Sequence, residues 1–372
     1  MAEPLKNHFG TDVPKTIARM LQAVHPSFNA RAFVRDCLAG YEALELMPRG
    51  RHIAQAMHTH LPAHFPQAIE LILASIEQPT DRAGAGAMAN FIFMPHCFFV
   101  AEHGLDHFED AMRAQYVLTQ RFTAEFSIRP FLIRHPQRTL DRLREWASDP
   151  SEHVRRLVSE GSRPRLPWAQ RLPAFQADPT PMLEILELLK DDPSLYVRRS
   201  VANHLNDVGK DNPKMLAAIA ARWMGDASAE RAWLIRHALR WAVKQGHPWA
   251  LKVIGFGRPA EVDIRSAAIS PRRAHIGGSV LISFELHNPL RRAQSLMVDL
   301  QVHYVKANGA AKAKVFKLQS LQLEPGQSAT LRKKLSLREM TTRRHYPGRH
   351  VVDVVVNGVS MALGEFWLLR RD

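Results

Sequence analysis

Asp149-Pro-Ser-Glu-His-Val-Arg-Arg156 returns 43 residues later as Asp192-Pro-Ser-Leu-Tyr-Val-Arg-Arg199. In each copy Asp-Pro is placed to start a helix, and Val-Arg-Arg falls about one turn further on. Asp226-Ala-Ser, followed by Trp233-Leu-Ile-Arg236, reads as a third, degenerate copy. A period near 40 residues with two helices per copy is the pattern of HEAT-type repeats. Each helix pair buries its apolar face only by stacking on its neighbours, which predicts a curved α-helical solenoid with a concave surface.

The helical reading extends outward from the repeat. Met182 to Leu189, Ala217 to Met224 and Trp233 to Val243 carry apolar residues at helical spacing, and the pattern holds to about Phe256. From about Val262 it changes to alternation. Val280, Ile282, Phe284 and Leu286 form one face of a strand, and Leu296, Val298, Leu300, Val302 and Tyr304 one face of another. Asn357-Gly358 between two valine-rich runs marks a hairpin. About seven short strands suit an immunoglobulin-like sandwich. The fold class is therefore mainly α: a HEAT-like α-helical solenoid over 1–258, then an all-β sandwich over 263–372, with Gly255 to Ala260 as the linker.

Composition narrows the function classes. Of 372 residues, 46% are hydrophobic and 23% charged, which suits a globular chain rather than a disordered or collagenous one. Lys and Arg outnumber Asp and Glu by 50 to 36, a formal net charge of +14, so an anionic partner is favoured. The surplus is uneven: residues 261–372 hold 18 Lys/Arg against 9 Asp/Glu. Cys37 and Cys97 are too few for a disulfide framework. The N-terminus lacks an apolar signal core, and the longest apolar run, Phe91 to Ala101, is too short for a membrane span. A cytoplasmic protein with no membrane partner is expected. His52, His58, His60 and His64, and likewise His96, His103 and His107, cluster without the spacing of a metal motif, so no metal site is expected. No phosphate loop, dinucleotide fingerprint or nucleophile elbow is present.

Basic residues at one register on successive repeats form a stripe able to follow a phosphate backbone. Acids on the same face then need a reason. Glu160 lies 43 residues before Asn203, and Asp207 is one turn beyond Asn203. Glu125 falls in an earlier predicted helix, Gln120 to Ser127. Plain structural roles stand beside each: Glu125 pairing with Arg121 or Arg129, Glu160 with Arg156, Asp207 as a turn residue before Val208-Gly209, and Trp168 as packing between repeats. The arginines have the alternative of a solvated face.

Val158-Ser-Glu-Gly-Ser-Arg-Pro-Arg-Leu-Pro-Trp168, together with Arg198-Arg-Ser-Val-Ala-Asn-His-Leu-Asn-Asp207, resembles the AlkC branch of the AlkC/AlkD alkylbase DNA glycosylases. The resemblance covers about residues 1–255, and the carboxyl-terminal sandwich is similar to the extension carried by one subset of AlkC proteins. It implies a monomer that binds double-stranded DNA and removes bases alkylated at N3, with no metal and no nucleotide cofactor. It also implies active-site positions for Glu125, Glu160 and Asp207, with Trp168 as the aromatic beside them. Arg155, Arg156, Arg163, Arg165, Arg198, Arg199 and Asn203 are the expected DNA-binding set on the solenoid.

The chemistry suits these residues. An adenine or cytosine alkylated at N3 is cationic and already a good leaving group. The demand falls on the sugar, whose developing positive charge a nearby carboxylate stabilises. On the sandwich, loop topology gathers Arg272, Arg273, Arg343, Arg344 and His345 at one end, an expected second contact that would clamp the duplex. Two other readings compete: a non-catalytic module holding damaged or branched DNA, and a protein scaffold. A lyase would need an activated amine, and neither Lys190 nor Lys210 is marked as one.

Overall fold

The computed structural model describes residues 5–78, 86–340 and 344–370. Among them are sixteen α-helices followed by eight β-strands. The chain divides into two compact units, one holding residues up to Leu216 with Ala227–Ala238, the other Ala217–Asp226 with everything from Leu239 onward. No helix among the described residues is long and apolar enough to cross a membrane.

In the first unit, helices follow from apolar stripes. Helix Glu152–Gly161 buries Val154, Leu157, Val158 and Gly161, the i, i+3, i+4, i+7 positions of one face. Helix Leu195–Asp211 buries Val197, Val201, Leu205 and Val208. The two pack together, and the second also packs on helix Ala229–Ala238, which begins the degenerate third copy. The repeated motif is a self-contained helix start. The Asp149 carboxylate accepts from the Ser151 amide at 2.8 Å, and Asp192 does the same for Ser194 at 2.8 Å. Arg155 Nη1 donates to the carbonyls of Asp149 and Pro150, and Arg198 Nη1 to those of Asp192 and Pro193. The first arginine of each pair thus satisfies carbonyls of its own repeat.

Helix Leu195–Asp211 does not end at Val208-Gly209. Gly209 serves packing instead: a Cβ there would lie 2.2 Å from Leu216 Cδ2 at the start of the next helix. Asp207 is accordingly a helical residue, not a turn residue.

Two buried histidines make this unit sensitive to acid. Burial pushes His96 and His204 down to about 4 from 6.5. The unfolded chain takes up these protons near pH 6.5, the folded protein only near pH 4, so stability falls as pH drops through that window. The limit is about 3 kcal/mol per histidine. Thermal melts are expected to show a lower midpoint at pH 5 than at pH 7, and His204→Gln a shallower dependence.

In the second unit, strands β1 (Asp263–Ser270), β3 (Ser279–His287) and β6 (Ser328–Ser336) form one antiparallel sheet, ordered β1-β3-β6. The other is ordered β2-β8-β7-β4-β5, from β2 (Arg273–His275), β4 (Gln294–Val305), β5 (Ala311–Leu323), β7 (Gly348–Val356) and β8 (Val359–Leu369). The expected faces of β3 and β4 are the buried ones, meeting Val352, Val354 and Phe366 in the core. There is one strand more than the seven expected. β2 has three residues and pairs parallel to β8, too short to show alternation.

Asn357 and Gly358 both take positive φ, 47° and 83°, as the predicted hairpin turn requires. Its tip is close-packed: a Cβ on Gly358 would lie 2.7 Å from Leu251 Cδ1 and 3.1 Å from the Gly246 carbonyl. Asn357 also donates to the Arg258 carbonyl, and Gln294 bonds both backbone groups of Glu261. The stretch expected as a linker is therefore held against the sandwich.

Candidate active site

Several segments of the first unit meet at one cleft of about 560 Å³, lined by Glu125, Arg156, Glu160, Arg163, Trp168 and Tyr196 among others. Glu125 is not helical as expected. Helix Phe108–Arg121 stops short of it, and Glu125 sits in the turn before helix Ile128–Arg134. Threonine hydroxyls replace helical acceptors there: Thr119 Oγ1 takes the Ala124 amide and Thr123 Oγ1 the Glu125 amide. Gly161 lets this turn sit close, since a Cβ on it would fall 2.5 Å from Ile128 Cγ2 and 3.6 Å from the Glu125 Cα.

The acids and bases interlock. Arg156 Nη1 lies 2.6 Å from Glu125 Oε2, and Arg156 Nη2 3.7 Å from Glu160 Oε1. Arg163 bridges Glu160 at 2.6 Å and Asp207 at 2.8 Å, and Lys210 takes the other Asp207 oxygen at 2.9 Å. The Ser200 hydroxyl donates to Glu160 Oε2 at 2.6 Å and receives from Ser159. Burial alone would raise the Glu160 carboxyl, but Arg156, Arg163 and Ser200 outweigh it and hold the group below the ordinary value. Burial would likewise lower Arg156 and Arg163, yet their carboxylate partners raise both. Arg156, Arg163 and Lys210 thus leave each of the three carboxylates with a cationic partner.

Depth separates the three acids. Glu125 and Glu160 line the cleft. Asp207 is 1% exposed, behind Arg163. Trp168 stands at the opposite extreme, 69% exposed, so it is not packing between repeats. Its φ is +63°, a left-handed backbone that costs an L-residue about 1–2 kcal/mol. Such strain in a bulky exposed aromatic points to function.

The expected arginine stripe needs correction. Arg155 is tied to its own repeat's carbonyls and forks onto Asp192 at 2.6 and 3.1 Å, and Arg198 repeats the carbonyl contacts. Arg155 thus ties its repeat to the next, and Arg198 is held on its own helix start, so neither guanidinium stands free in a stripe. Arg163 is a buried clamp, and Arg165 is paired with Asp211. Arg199 is exposed, and Asn203 is half-buried. On the sandwich, Arg272, Arg273 and Arg344 are exposed. Arg344 borders a basic hollow of about 640 Å³ with Lys306, Lys312 and Tyr346. Arg343 lies outside the described residues. His345 is another correction: it is 4% exposed, its ring packed on Tyr304 at 5.5 Å, so it belongs to the core and not to a groove-reading loop.

Sequence reasoning missed Tyr196 and Arg129. Tyr196 lies beneath the Arg156 guanidinium, 5.3 Å from ring centroid to Cζ, and meets His153 edge-on at 5.8 Å. A signal existed, because Tyr196 and His153 occupy the same register in the two repeat copies. Among the described residues no three His, Cys, Asp or Glu side chains are grouped to hold a metal ion.

The segment 121–244, which contains every acid of the site, matches a family described as "DNA alkylation repair enzyme", and 263–370 matches the C-terminal Ig-like domain of uncharacterised protein YhaZ. The two matches together mark a DNA alkylation repair domain followed by an Ig-like extension. The chain is similar to a solved Pseudomonas fluorescens alkylpurine DNA glycosylase, AlkC, bound to DNA containing an abasic site analog. The likeness has 40% identity and a TM-score of 0.92, covering 99% of this chain and 100% of that one. It is also 33% identical to the uncharacterized protein YhaZ of Bacillus subtilis, over 95% of this chain and 96% of the relative. The chain belongs to the AlkC family.

Proposed function

We propose that this protein is a monofunctional DNA glycosylase that hydrolyses the N-glycosidic bond of cationic N3-alkylated bases, 3-methyladenine and 3-methylcytosine, in duplex DNA. The observation that carries the reading is the pair of cleft carboxylates, Glu125 and Glu160, set beside the strained, exposed Trp168. DNA binding alone gives no reason for acids there.

The bond between the alkylated base and C1′ breaks with its electron pair leaving on the base, which becomes neutral. The sugar takes the positive charge. Glu125 stabilises that charge and accepts a proton from the water that adds to C1′, leaving an abasic site. Trp168 offers a π face to the same cation, worth about 0.5–2 kcal/mol. Asp207, out of reach behind Arg163, is a positioning residue. A neutral base gains little from these carboxylates, which makes the lesion's charge the basis of selection.

The test is base release from a duplex carrying one N3-methylcytosine or one N3-methyladenine. Release of the free base with no strand cleavage is expected. Binding without release from either duplex would overturn the reading in favour of a module that only holds damaged DNA.

The sandwich supplies a second backbone contact through Arg272, Arg273 and Arg344. Changing all three to Glu is expected to weaken duplex binding and to flatten its salt dependence, the log–log slope falling by about one for each phosphate no longer neutralised. Titrations at several salt concentrations check this.

A further inference from the structure

Arg129 is among the largest side chains sealed in the interior, at 1% exposure, and its fork meets carbonyls rather than a carboxylate. Nε donates to the Gln170 carbonyl at 2.6 Å. Nη1 donates to the carbonyls of Gly161 and Arg163 at 2.8 and 2.9 Å. These acceptors bracket the segment that carries Trp168. That segment also closes on itself, the Leu172 amide reaching the Pro164 carbonyl at 3.2 Å and the Ala169 amide that of Leu166 at 3.4 Å. Burial pushes the guanidinium down to about 10, so it stays charged at neutral pH.

A left-handed backbone at an exposed tryptophan persists only where its surroundings over-determine it. Here the determinants are carbonyls on both sides of the indole, held by one rigid planar fork. We propose that Arg129 is a positioning residue for Trp168, fixing the 161–170 segment from beneath so that the indole is presented at the mouth of the cleft. A lysine keeps the charge but offers no planar fork to match three carbonyls. The inference rests on the reading of Trp168 as the aromatic that meets the reacting sugar.

The experiment is a double-mutant cycle on the N3-methylcytosine duplex under single-turnover conditions, with wild type, Arg129→Lys, Trp168→Ala and the double variant. Each single change is expected to slow base release about tenfold or more with duplex affinity within about threefold, and the double variant to be no slower than Trp168→Ala alone. Additive losses, or Arg129→Lys at the wild-type rate, would overturn the proposal. Fluorescence supplies a second readout. The emission removed by Trp168→Phe isolates this indole, and in the Arg129→Lys background that component is expected to lose anisotropy; an unchanged component counts against the proposal. If Trp168→Ala has no effect on rate, the reading of Trp168 fails, and the fluorescence arm still decides for or against Arg129. Should Arg129→Lys not fold, Arg129→Gln carries the same cycle. If neither folds, Arg129 is needed by the whole unit and the proposal is wrong.

Discussion

Glu125→Gln slows base release by about a hundredfold or more, equivalent to about 2.7 kcal/mol of transition-state stabilisation, and leaves the protein folded. The amide keeps the size and the contact with Thr123 but removes the charge. An N3-alkylated base departs without a strong acid, so the barrier depends on the positive charge developing at the sugar, and a neutral amide answers that charge poorly. Folding survives because Glu125 lies in a turn at the cleft wall and Arg156 still has Glu160 within 3.7 Å. Duplex binding is unchanged or tighter, since one repulsive charge near the phosphates is gone. Single-turnover release beside equilibrium binding gives both numbers. A variant within threefold of the wild-type rate would remove Glu125 from the chemistry.

Asp207→Asn has the reverse signature, a large loss of stability with a loss of rate following from it. Asp207 is 1% exposed and takes Arg163 on one oxygen and Lys210 on the other. Removing its charge leaves buried Arg163 short of one counter-ion, and breaking such a pair costs about 3–5 kcal/mol. For a chain of this size that lowers the melting midpoint by roughly 4–6 °C. Arg163→Met added to Asp207→Asn is expected to recover part of the loss, because the orphaned charge goes with it. Calorimetry of the two variants decides; an unshifted midpoint in Asp207→Asn would mean that Arg163 does not depend on it.

The architecture was legible in the sequence because period is visible there. Alternation from Val280 to Tyr304 gave the sandwich faces, and the 43-residue recurrence gave the stacked helix starts. What was not legible depends on partners far apart in sequence. Arg155 and Arg198 read as a stripe because nothing local shows that a guanidinium folds back on its own helix start. His345 read as a loop tip because its neighbours are arginines, while its burial is decided by Tyr304 some forty residues earlier. Arg129 reads only as a partner for Glu125, which pairs with Arg156 instead; its actual acceptors are main-chain carbonyls with no residue identity. The helix predicted through Glu125 failed because threonine hydroxyls compete with the helical ladder.

The way each repeat begins bears on how such a protein diversifies. Because Asp-Pro and its arginine complete one another within a repeat, duplicating the gene segment reproduces a sound helix start wherever the copy lands. Arg156 and Tyr196 of the openings reach the cleft, but the acids Glu160 and Asp207 lie beyond them. There the copies have drifted apart: the register that holds Glu160 in one holds Asn203 in the next, and the one that holds Pro164 holds Asp207. Pro164 follows the end of one helix, while the other continues to Asp211 and carries an acid where its twin has an imino ring. Drift of that later part changes the acids offered to the cleft while the inherited opening keeps its form.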